Sequence, residues 1–381
     1  MNRLVLGLIV PIVFWGVLGG GRAALAYPQF QLSRDQTCTS CHLAPQGGGM
    51  LNENGGVFAE NFSQFGTAPE FMYGKVPLPS WLALGGDLRS ATGYDRTPQQ
   101  YLVTFPMQAE IYANAKLPAH LRLYIVGGAR PTEVGNEAAT HAWSREHYLM
   151  WSQQDDGSEG WFVRIGRFMP VFGLRYAEHP TYTRRYGGTQ LYSETYGAAV
   201  EYITQVFEVH ATGFIKDPVI DPVAHDNGGA FYGEYRVIPT ASVGAEAMYT
   251  KSDIDWKIRG GATGKLYLKG PDVLLELEAQ VVNQHIESFG LTQLVAEFTA
   301  TKFLPMGLWL DVGLGHYDEN IRIKGLDRDA LDVNLHWLTT SHIELIATTR
   351  IELINQGMTT AGTDLGGPTG GYALFQAHYR L

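Results

Sequence analysis

The chain has 381 residues, a formal net charge of −10 at pH 7, and charged side chains at only 17% of positions. Soluble domains carry about a quarter charged residues, whereas this chain is instead rich in glycine, with 45 residues, and in aromatic side chains, at 12%. No basic run or basic face is present, which argues against a nucleic-acid partner. The composition therefore indicates a fold in which few side chains are charged.

The first 26 residues have the pattern of a signal peptide. Arg3 gives a basic start, residues 4–18 form an apolar core, and residues 24–26 offer the small side chains that a signal peptidase recognises. A membrane anchor is the alternative, but the apolar run is shorter than the ~20 residues of a spanning helix, and the glycines at 19–21 interrupt it. We therefore expect export and a mature chain that begins at Tyr27.

Both cysteines of the chain lie in one short motif, Cys38-Thr39-Ser40-Cys41-His42. The C-x-x-C-H spacing allows both thiols to bond one haem while the adjacent imidazole binds its iron. The alternatives are a disulfide, a redox pair and half of a zinc site. A redox pair would need a βαβ context, and zinc would need two further soft ligands that this chain does not supply. The motif therefore predicts one covalent haem c.

Residues 27–80 read as a small monohaem cytochrome c-like segment. Three glycines at 47–49 predict a turn just past the motif, and residues 52–65 read as a short helix. That helix carries phenylalanines at helical spacing, namely Phe58, Phe62 and Phe65. The rings would contact the porphyrin, form a small core or dock on a neighbouring wall. Because so short a segment buries only a thin core, we expect it to share a core with the rest of the chain, as a plug.

Beyond residue 80, sixteen segments alternate apolar and polar residues with a period of two. In one of them, Leu275 and Leu277 alternate with Glu276 and Glu278, as a strand between lipid and a wet lumen requires. Each segment is long enough to cross a membrane as a tilted strand. A soluble β-sandwich or β-propeller also alternates in this way and is the alternative.

Loop lengths favour the barrel over these alternatives. The connections after the even-numbered segments are mostly tight, whereas long ones follow odd-numbered segments, at 130–140, 167–193, 216–229, 317–329 and 355–371. Outer-membrane barrels have short periplasmic turns, longer extracellular loops and an even strand count. We therefore expect residues 81–381 to form an all-β, antiparallel transmembrane barrel of about 16 strands in the outer membrane of a Gram-negative bacterium. The haem segment would lie at its periplasmic end or in its lumen.

The second axial ligand of the haem iron is left open by the sequence. Met50 and Met72 are the methionines of the haem segment, and Met72 has more slack to fold back because Met50 follows three glycines. A lumen histidine, such as His120, His336 or His378, is the alternative.

A signal peptide, one C-x-x-C-H motif near the mature N-terminus and a barrel of about 16 strands together resemble the fused cytochrome–porins of the outer membrane, known from iron-oxidising bacteria. The sharply specific part of this resemblance is Cys38 to His42. The resemblance implies one haem that takes electrons from extracellular ferrous iron. It also implies that a periplasmic carrier, a cytochrome or a cupredoxin, receives those electrons. It does not identify the second axial ligand.

A second resemblance is local. Residues 163–174, VRIGRFMPVFGL, are similar to a strand-to-loop segment of phosphate-selective porins. In such porins the loop often folds inward and narrows the channel, where arginines attract anions. The arginines in question are Arg167, Arg175, Arg184 and Arg185. The alternative is a surface loop whose arginines pair with Glu178 and Glu194.

Three functions fit these patterns: an outer-membrane electron conduit that oxidises extracellular iron or another donor, an anion-selective porin with a haem-bearing plug, and a haem enzyme such as a peroxidase. An enzyme would need an open iron position and a distal acid–base residue, so enzymatic activity stays undecided. One haem cannot bridge the ~30 Å hydrocarbon core. It must therefore lie in the lumen or pass electrons to a partner, and the barrel geometry favours the conduit.

Overall fold

The structure is a computed structural model that describes residues 28–95, 102–129, 142–155, 157–177, 180–190, 193–217, 226–287, 289–354 and 369–381. The predicted signal peptide, residues 1–26, lies outside these ranges, as does Tyr27. Within them, no helix is both long enough and apolar enough to span a membrane.

The described residues form sixteen antiparallel strands, each paired with the next in sequence, and β1 pairs with β16 to close a barrel. The predicted all-β fold, its strand count and its antiparallel pairing are therefore confirmed. The strands are β1 Leu82–Asp95, β2 Leu102–Leu117, β3 Leu121–Ala129, β4 Ala142–Ser152, β5 Gly160–Phe168, β6 Thr195–Ile203, β7 Phe207–Ile215, β8 Asn227–Ile238, β9 Ala241–Lys251, β10 Asp255–Leu268, β11 Val273–Ile286, β12 Phe289–Leu304, β13 Leu308–Asp318, β14 Asp327–Thr340, β15 Ile343–Ile354 and β16 Thr369–Arg380.

Four short helices accompany the strands: α1 Pro28–Arg34, α2 Cys38–Cys41, α3 Glu53–Phe62 and α4 Tyr182–Gly187, with a 3₁₀ turn at Phe71–Gly74. Helix α3 is the one predicted over 52–65. It begins where the Asn52 side chain accepts a hydrogen bond from the amide of Gly55 at 2.9 Å, as an N-cap does. It ends at Phe62, three residues earlier than expected.

The barrel is apolar outside and charged inside. In β11, Glu276, Glu278 and Gln280 are buried on the inner face, whereas Leu277 on the outer face is 49% exposed. Inner residues of other strands, such as Arg164, are also fully buried. A β-sandwich would have the reverse arrangement, with an apolar interior. The inverted polarity therefore excludes the sandwich and suits a wall with lipid on its outer side.

The connections after the even-numbered strands lie at one end of the barrel, here called the short-turn end. The shortest have two residues, at 239–240 and 341–342, and the longest has seven residues, at 153–159. The predicted alternation of loop length has three exceptions at the other end, where the connections 96–101, 252–254 and 287–288 have six, three and two residues. Most of the predicted loops 130–140 and 355–371 lie outside the described residues.

The N-terminal segment lies inside the barrel at its short-turn end. Phe30 of α1 packs against Phe303 and Trp309 of the wall, with ring centroids 5.1 and 5.9 Å apart. Phe62 of α3 lies 5.8 Å from the same tryptophan. Phe65 is 62% exposed. Phe62 also packs against Phe30 of the same segment, at 5.7 Å. Of the roles considered for these phenylalanines, Phe62 therefore combines a small core with docking on the wall.

The Gln64 and Phe65 amides, just past α3, continue this docking. They donate to the carbonyl oxygens of Leu338 and Thr339 in β14, at 3.1 and 3.0 Å. Nearby, the hydroxyls of Thr67 and Ser341 are 2.6 Å apart. Backbone and side-chain bonds thus fasten the segment to the turn between β14 and β15.

The parity of β11 generates a stability prediction. Leu277→Arg places a charge on the outer face and should destabilise the folded barrel in lipid by about 2 to 4 kcal/mol near mid-membrane. Leu277→Met has similar length without charge and serves as the matched control, with a cost below about 1.5 kcal/mol. Urea titrations in lipid vesicles measure both. Equal costs for the two variants would mean that this face does not contact lipid.

Candidate haem site in the barrel lumen

The two cysteines and the histidine of the motif are arranged by a single helical turn. Thr37 caps α2, because its hydroxyl accepts from the Ser40 amide at 3.1 Å while the Ser40 hydroxyl accepts from the Thr37 amide at 3.2 Å. This reciprocal pair is a capping box. The turn ends at His42, whose amide donates to the Cys38 carbonyl at 2.9 Å. The backbone then extends and pairs with Leu51.

Both thiols are free, and Cys41 is only 3% exposed. The Gln31 side chain donates to the Cys38 sulfur at 3.1 Å. Burial raises the pKa of Cys38 to about 11 and that of Cys41 to about 12. Reactive redox cysteines have a lowered pKa, so the direction of these shifts does not favour a redox pair. Among the described residues, no three His, Cys, Asp or Glu side chains form a metal-binding group.

The three glycines after the motif leave the backbone next to it without side chains. Gly47, Gly48 and Gly49 all have left-handed φ angles, of +78°, +72° and +59°, which glycine adopts without steric cost. A Cβ on Gly47 would lie 3.5 Å from the Cys38 sulfur and 3.7 Å from the His42 ring, whereas one on Gly48 would meet open space. The predicted turn is therefore present and leaves room next to the cysteines.

Helix α3 buttresses the motif from its other side. A Cβ on Gly55 would overlap the carbonyl oxygen of Cys41, so the helix can approach this closely only with glycine there. The side-chain amides of Asn52 and Asn54 donate to the carbonyls of Thr39 and Ser40, at 3.0 and 2.7 Å. The segment thus holds the motif in one orientation.

The motif opens onto a cavity of about 310 Å³, within the size range of small-molecule sites. The segment contributes Cys38, Cys41, His42 and the three glycines to its lining. Barrel strands and the inward loop contribute aromatic rings and arginines, among them Tyr112, Tyr124, Arg145, Arg175, Tyr176 and Arg184. A haem has apolar faces and two carboxylates, and this lining provides a counterpart for each. The residues present therefore fit the group that the motif predicts.

The connection between β5 and β6, residues 169–194, folds into the lumen; its residues 178–179 and 191–192 lie outside the described part. The Leu174 amide donates to Glu278 at 2.7 Å, and the Tyr182 amide donates to Glu297 at 3.0 Å. Both carboxylates point inward from β11 and β12. These bonds place the described part of the loop against the inner wall of the barrel. Of its predicted surface partners, Glu178 is not described, and Glu194 pairs with Arg145 at 2.5 Å.

The four predicted loop arginines have different surroundings. Arg167 is buried and paired with Asp217 at 3.0 Å. Arg175 and Arg184 line the haem cavity, and Arg185 is exposed, with its guanidinium over a tyrosine ring at 5.3 Å. The structure therefore brings two of the four to the motif.

The two cavity-lining arginines are bound differently. Arg175 pairs with Glu208 at 2.5 Å and donates to the Gln46 carbonyl at 3.2 Å. Arg184 donates to backbone carbonyls, at 2.8 Å to that of Tyr176 and 3.2 Å to that of Ala177. Arg145 also lines the cavity and was missed by the sequence, because nothing in its strand marks it as different from other lumen residues.

The methionines of the haem segment are not in the cavity lining. Met50 is 7% exposed and packs in a cluster with Tyr112 and Tyr124. Its methyl group lies 3.5 Å from where a Cβ on Gly85 of β1 would be, so it points at the barrel wall. Met72, within the 3₁₀ turn, is 39% exposed. Met169, at the start of the inward loop, does line the cavity.

Of the lumen histidines considered, His378 lines the cavity, but its ring nitrogens lie 2.6 Å from Asp87 and 3.4 Å from Glu344. His336 stacks on Trp309 at 4.6 Å, away from the lining. His120 lies in the turn after β2 and pairs with an aspartate at 2.9 Å.

No protein-family model and no curated protein sequence matches this chain. Solved structures do. An OmpT structure from Vibrio cholerae is 14% identical, covers 79% of this chain and 99% of its own, and has a TM-score of 0.59. The anion-selective porin of Comamonas acidovorans is 13% identical over 79% and 99%, with a TM-score of 0.58. The chain has the porin barrel fold. OmpF of Salmonella typhi, in a daunomycin complex, is 11% identical over 79% and 97%, with a TM-score of 0.61. At these identities the likeness concerns the porin-like barrel alone.

The close approach of α3 to the motif generates a prediction. Gly55→Ala should force α3 away from Cys41, cost about 1 to 3 kcal/mol in local packing, and lower the fraction of chains that carry covalent haem. Val57→Ala changes an exposed residue of the same helix and should leave that fraction unchanged. Haem staining relative to barrel protein on denaturing gels measures it. Equal staining in both variants would contradict the packing described.

Proposed function

We propose that this chain is an outer-membrane electron-transfer protein of a Gram-negative bacterium, in which one covalent haem c occupies the lumen of a porin-like barrel. Cys38 and Cys41 would bond the haem, and His42 would bind its iron. The observation that carries the proposal is the C-x-x-C-H turn itself, inside the barrel and open to a cavity that barrel residues complete. A porin needs no such motif.

When bound, the haem supplies a one-electron redox centre. The chain's own residues would orient it and keep bulk water away. Phe30, Tyr112 and Tyr124 provide apolar and aromatic lining. Arg184, which donates to backbone carbonyls, offers a guanidinium group to a haem carboxylate, as a charge-assisted pair.

The lumen contacts of the haem segment support electron rather than solute passage. Gln31 is bonded to Lys265 of the wall at 2.5 Å and to Glu208 at 3.2 Å. Gln46 receives bonds from Arg164 and Arg175. A segment bonded to several strands would occupy the space that a solute needs.

In one cavity of the lumen the carboxylates outnumber the arginines, which favours a cationic electron donor over an anionic cargo. A second cavity, of about 110 Å³, is lined by Glu276, Glu297, Asp311 and Asp332 and also by Arg350 and His336, which pair with Asp332 and Asp311. It adjoins the cavity beside the motif, because Tyr176 lines both. Extracellular ferrous iron, or another donor of positive charge, suits such a wall. The acceptor would be a periplasmic cytochrome or cupredoxin at the short-turn end.

An anion-selective porin with a haem-bearing plug is the second candidate, and the local similarity of residues 163–174 favours it. To select anions, a channel needs arginine guanidinium groups that are not already paired with a carboxylate. Arg167 and Arg175 instead pair with Asp217 and Glu208. The conduit is therefore the better-supported function.

The test uses liposomes that carry the protein, an enclosed electron acceptor and external ferrous iron. The intact protein should transfer electrons and pass small solutes slowly. Replacing both cysteines by Ala, or His42→Ala, should lower electron transfer at least about tenfold because the redox centre is lost or poorly ligated. His316→Ala, a half-exposed histidine paired with Asp329 at the opposite end, is the matched control and should transfer electrons normally.

Rapid solute flux through the intact protein, together with electron transfer that the cysteine and His42 variants leave unchanged, would contradict the conduit. Anion flux that depends on Arg184 would favour the porin.

A further inference from the structure

Met169 is set apart from the residues around it. From Arg167 to Leu174 the side chains are buried, except that of Met169, which keeps part of its surface accessible. Met169 also lines the cavity that His42 lines. The backbone amide of Met169 bonds to Glu146 of β4, so its position is held by the barrel wall.

Other iron-binding side chains in the lining are engaged elsewhere. His378 is bonded to Asp87. The Tyr112 hydroxyl donates to the same aspartate, and the Tyr124 hydroxyl accepts from the Met50 amide at 3.2 Å. Tyr176 has its pKa raised by burial, which disfavours the phenolate that an iron-bound tyrosine needs. A methionine thioether needs no deprotonation to bind iron.

We propose that the thioether of Met169 is the second axial ligand of the haem iron. The proposal rests on the haem of the proposed function and goes beyond it, since it takes the ligand from the barrel loop rather than from the haem segment. Neither Met50 nor Met72 lines the cavity, and Met50 points at the wall. A histidine from the plug and a methionine from the loop would then share one iron.

Two consequences follow from this ligation. His and Met ligands together raise the reduction potential relative to two histidines and leave no open position on the iron. The haem would then transfer electrons without binding peroxide or oxygen. The iron would also tie the plug to the inward loop, so haem attachment should order both.

The experiment compares absorption spectra of the purified holoprotein with those of single variants. The wild-type ferric protein should show the weak long-wavelength band of thioether-ligated haem. Met169→Leu should lose the band, lower the reduction potential, and let carbon monoxide bind the ferrous iron. Met72→Leu and Met50→Leu should keep the band. Met169→His should lose the band, retain a six-coordinate iron, and again exclude carbon monoxide.

The results distinguish a failure of the Met169 ligation from a failure of the proposed function on which it rests. A wild-type protein without covalent haem would overturn the proposed function, and this ligation with it. Covalent haem with a thioether band that survives in Met169→Leu, or that is lost in Met50→Leu or Met72→Leu, would overturn only the assignment to Met169. So would a wild-type haem without the band. Heat-modifiable gel mobility checks barrel folding, and if Met169→Leu does not fold, Met169→His provides the same comparison.

Discussion

The charged inner wall is the constraint on which the rest of this structure depends. A lumen filled by protein has little water to solvate its charges, so each buried group needs a partner from the wall or from the plug. Gln31 of the plug provides such partners. Its side chain accepts from Lys265, donates to Glu208, and donates to the sulfur of Cys38. One residue thereby connects wall charges to the haem motif.

The plug also needs apolar anchorage, since hydrogen bonds inside a lumen only replace those to water. Phe30 and Phe62 supply it by packing around Trp309, at ring distances of 5.9 and 5.8 Å. Polar contacts then determine orientation, and aromatic burial contributes most of the attachment. The haem cavity lies between these contacts and the inward loop, so its walls come from three parts of the chain that are far apart in sequence.

The wide separation in sequence of the parts that form the cavity explains which features could be predicted from the sequence and which could not. Period-two alternation is local, so the inward Glu276 and outward Leu277 of β11 could be assigned from the sequence, and so could the C-x-x-C-H turn. The helix at 53–62 was found for the same reason. Pairings such as Arg167 with Asp217, or docking such as Phe62 on Trp309, depend on strand register and on how far a plug enters. No local pattern encodes them.

The role proposed for Met169 could not be predicted from the sequence for the same reason. Proximity along the chain favours the methionines of the haem segment, Met50 and Met72, as ligands. The folded loop instead brings Met169, more than a hundred residues from the motif, to the cavity. A sequence signal was present in the local resemblance of residues 163–174, but it indicated an inward loop and not a ligand. The loop arginines are likewise expected at a constriction, and two of them, Arg175 and Arg184, line the same cavity.

A covalent haem in this barrel is central to the proposed function. The most direct test is the mass of the intact mature chain after purification from outer membranes and denaturation. The account predicts the mass of a chain that begins at Tyr27, increased by that of one haem, with the added mass on the peptide that contains Cys38 and Cys41. A mature chain with unmodified cysteines, or with the two cysteines joined as a disulfide, would contradict it.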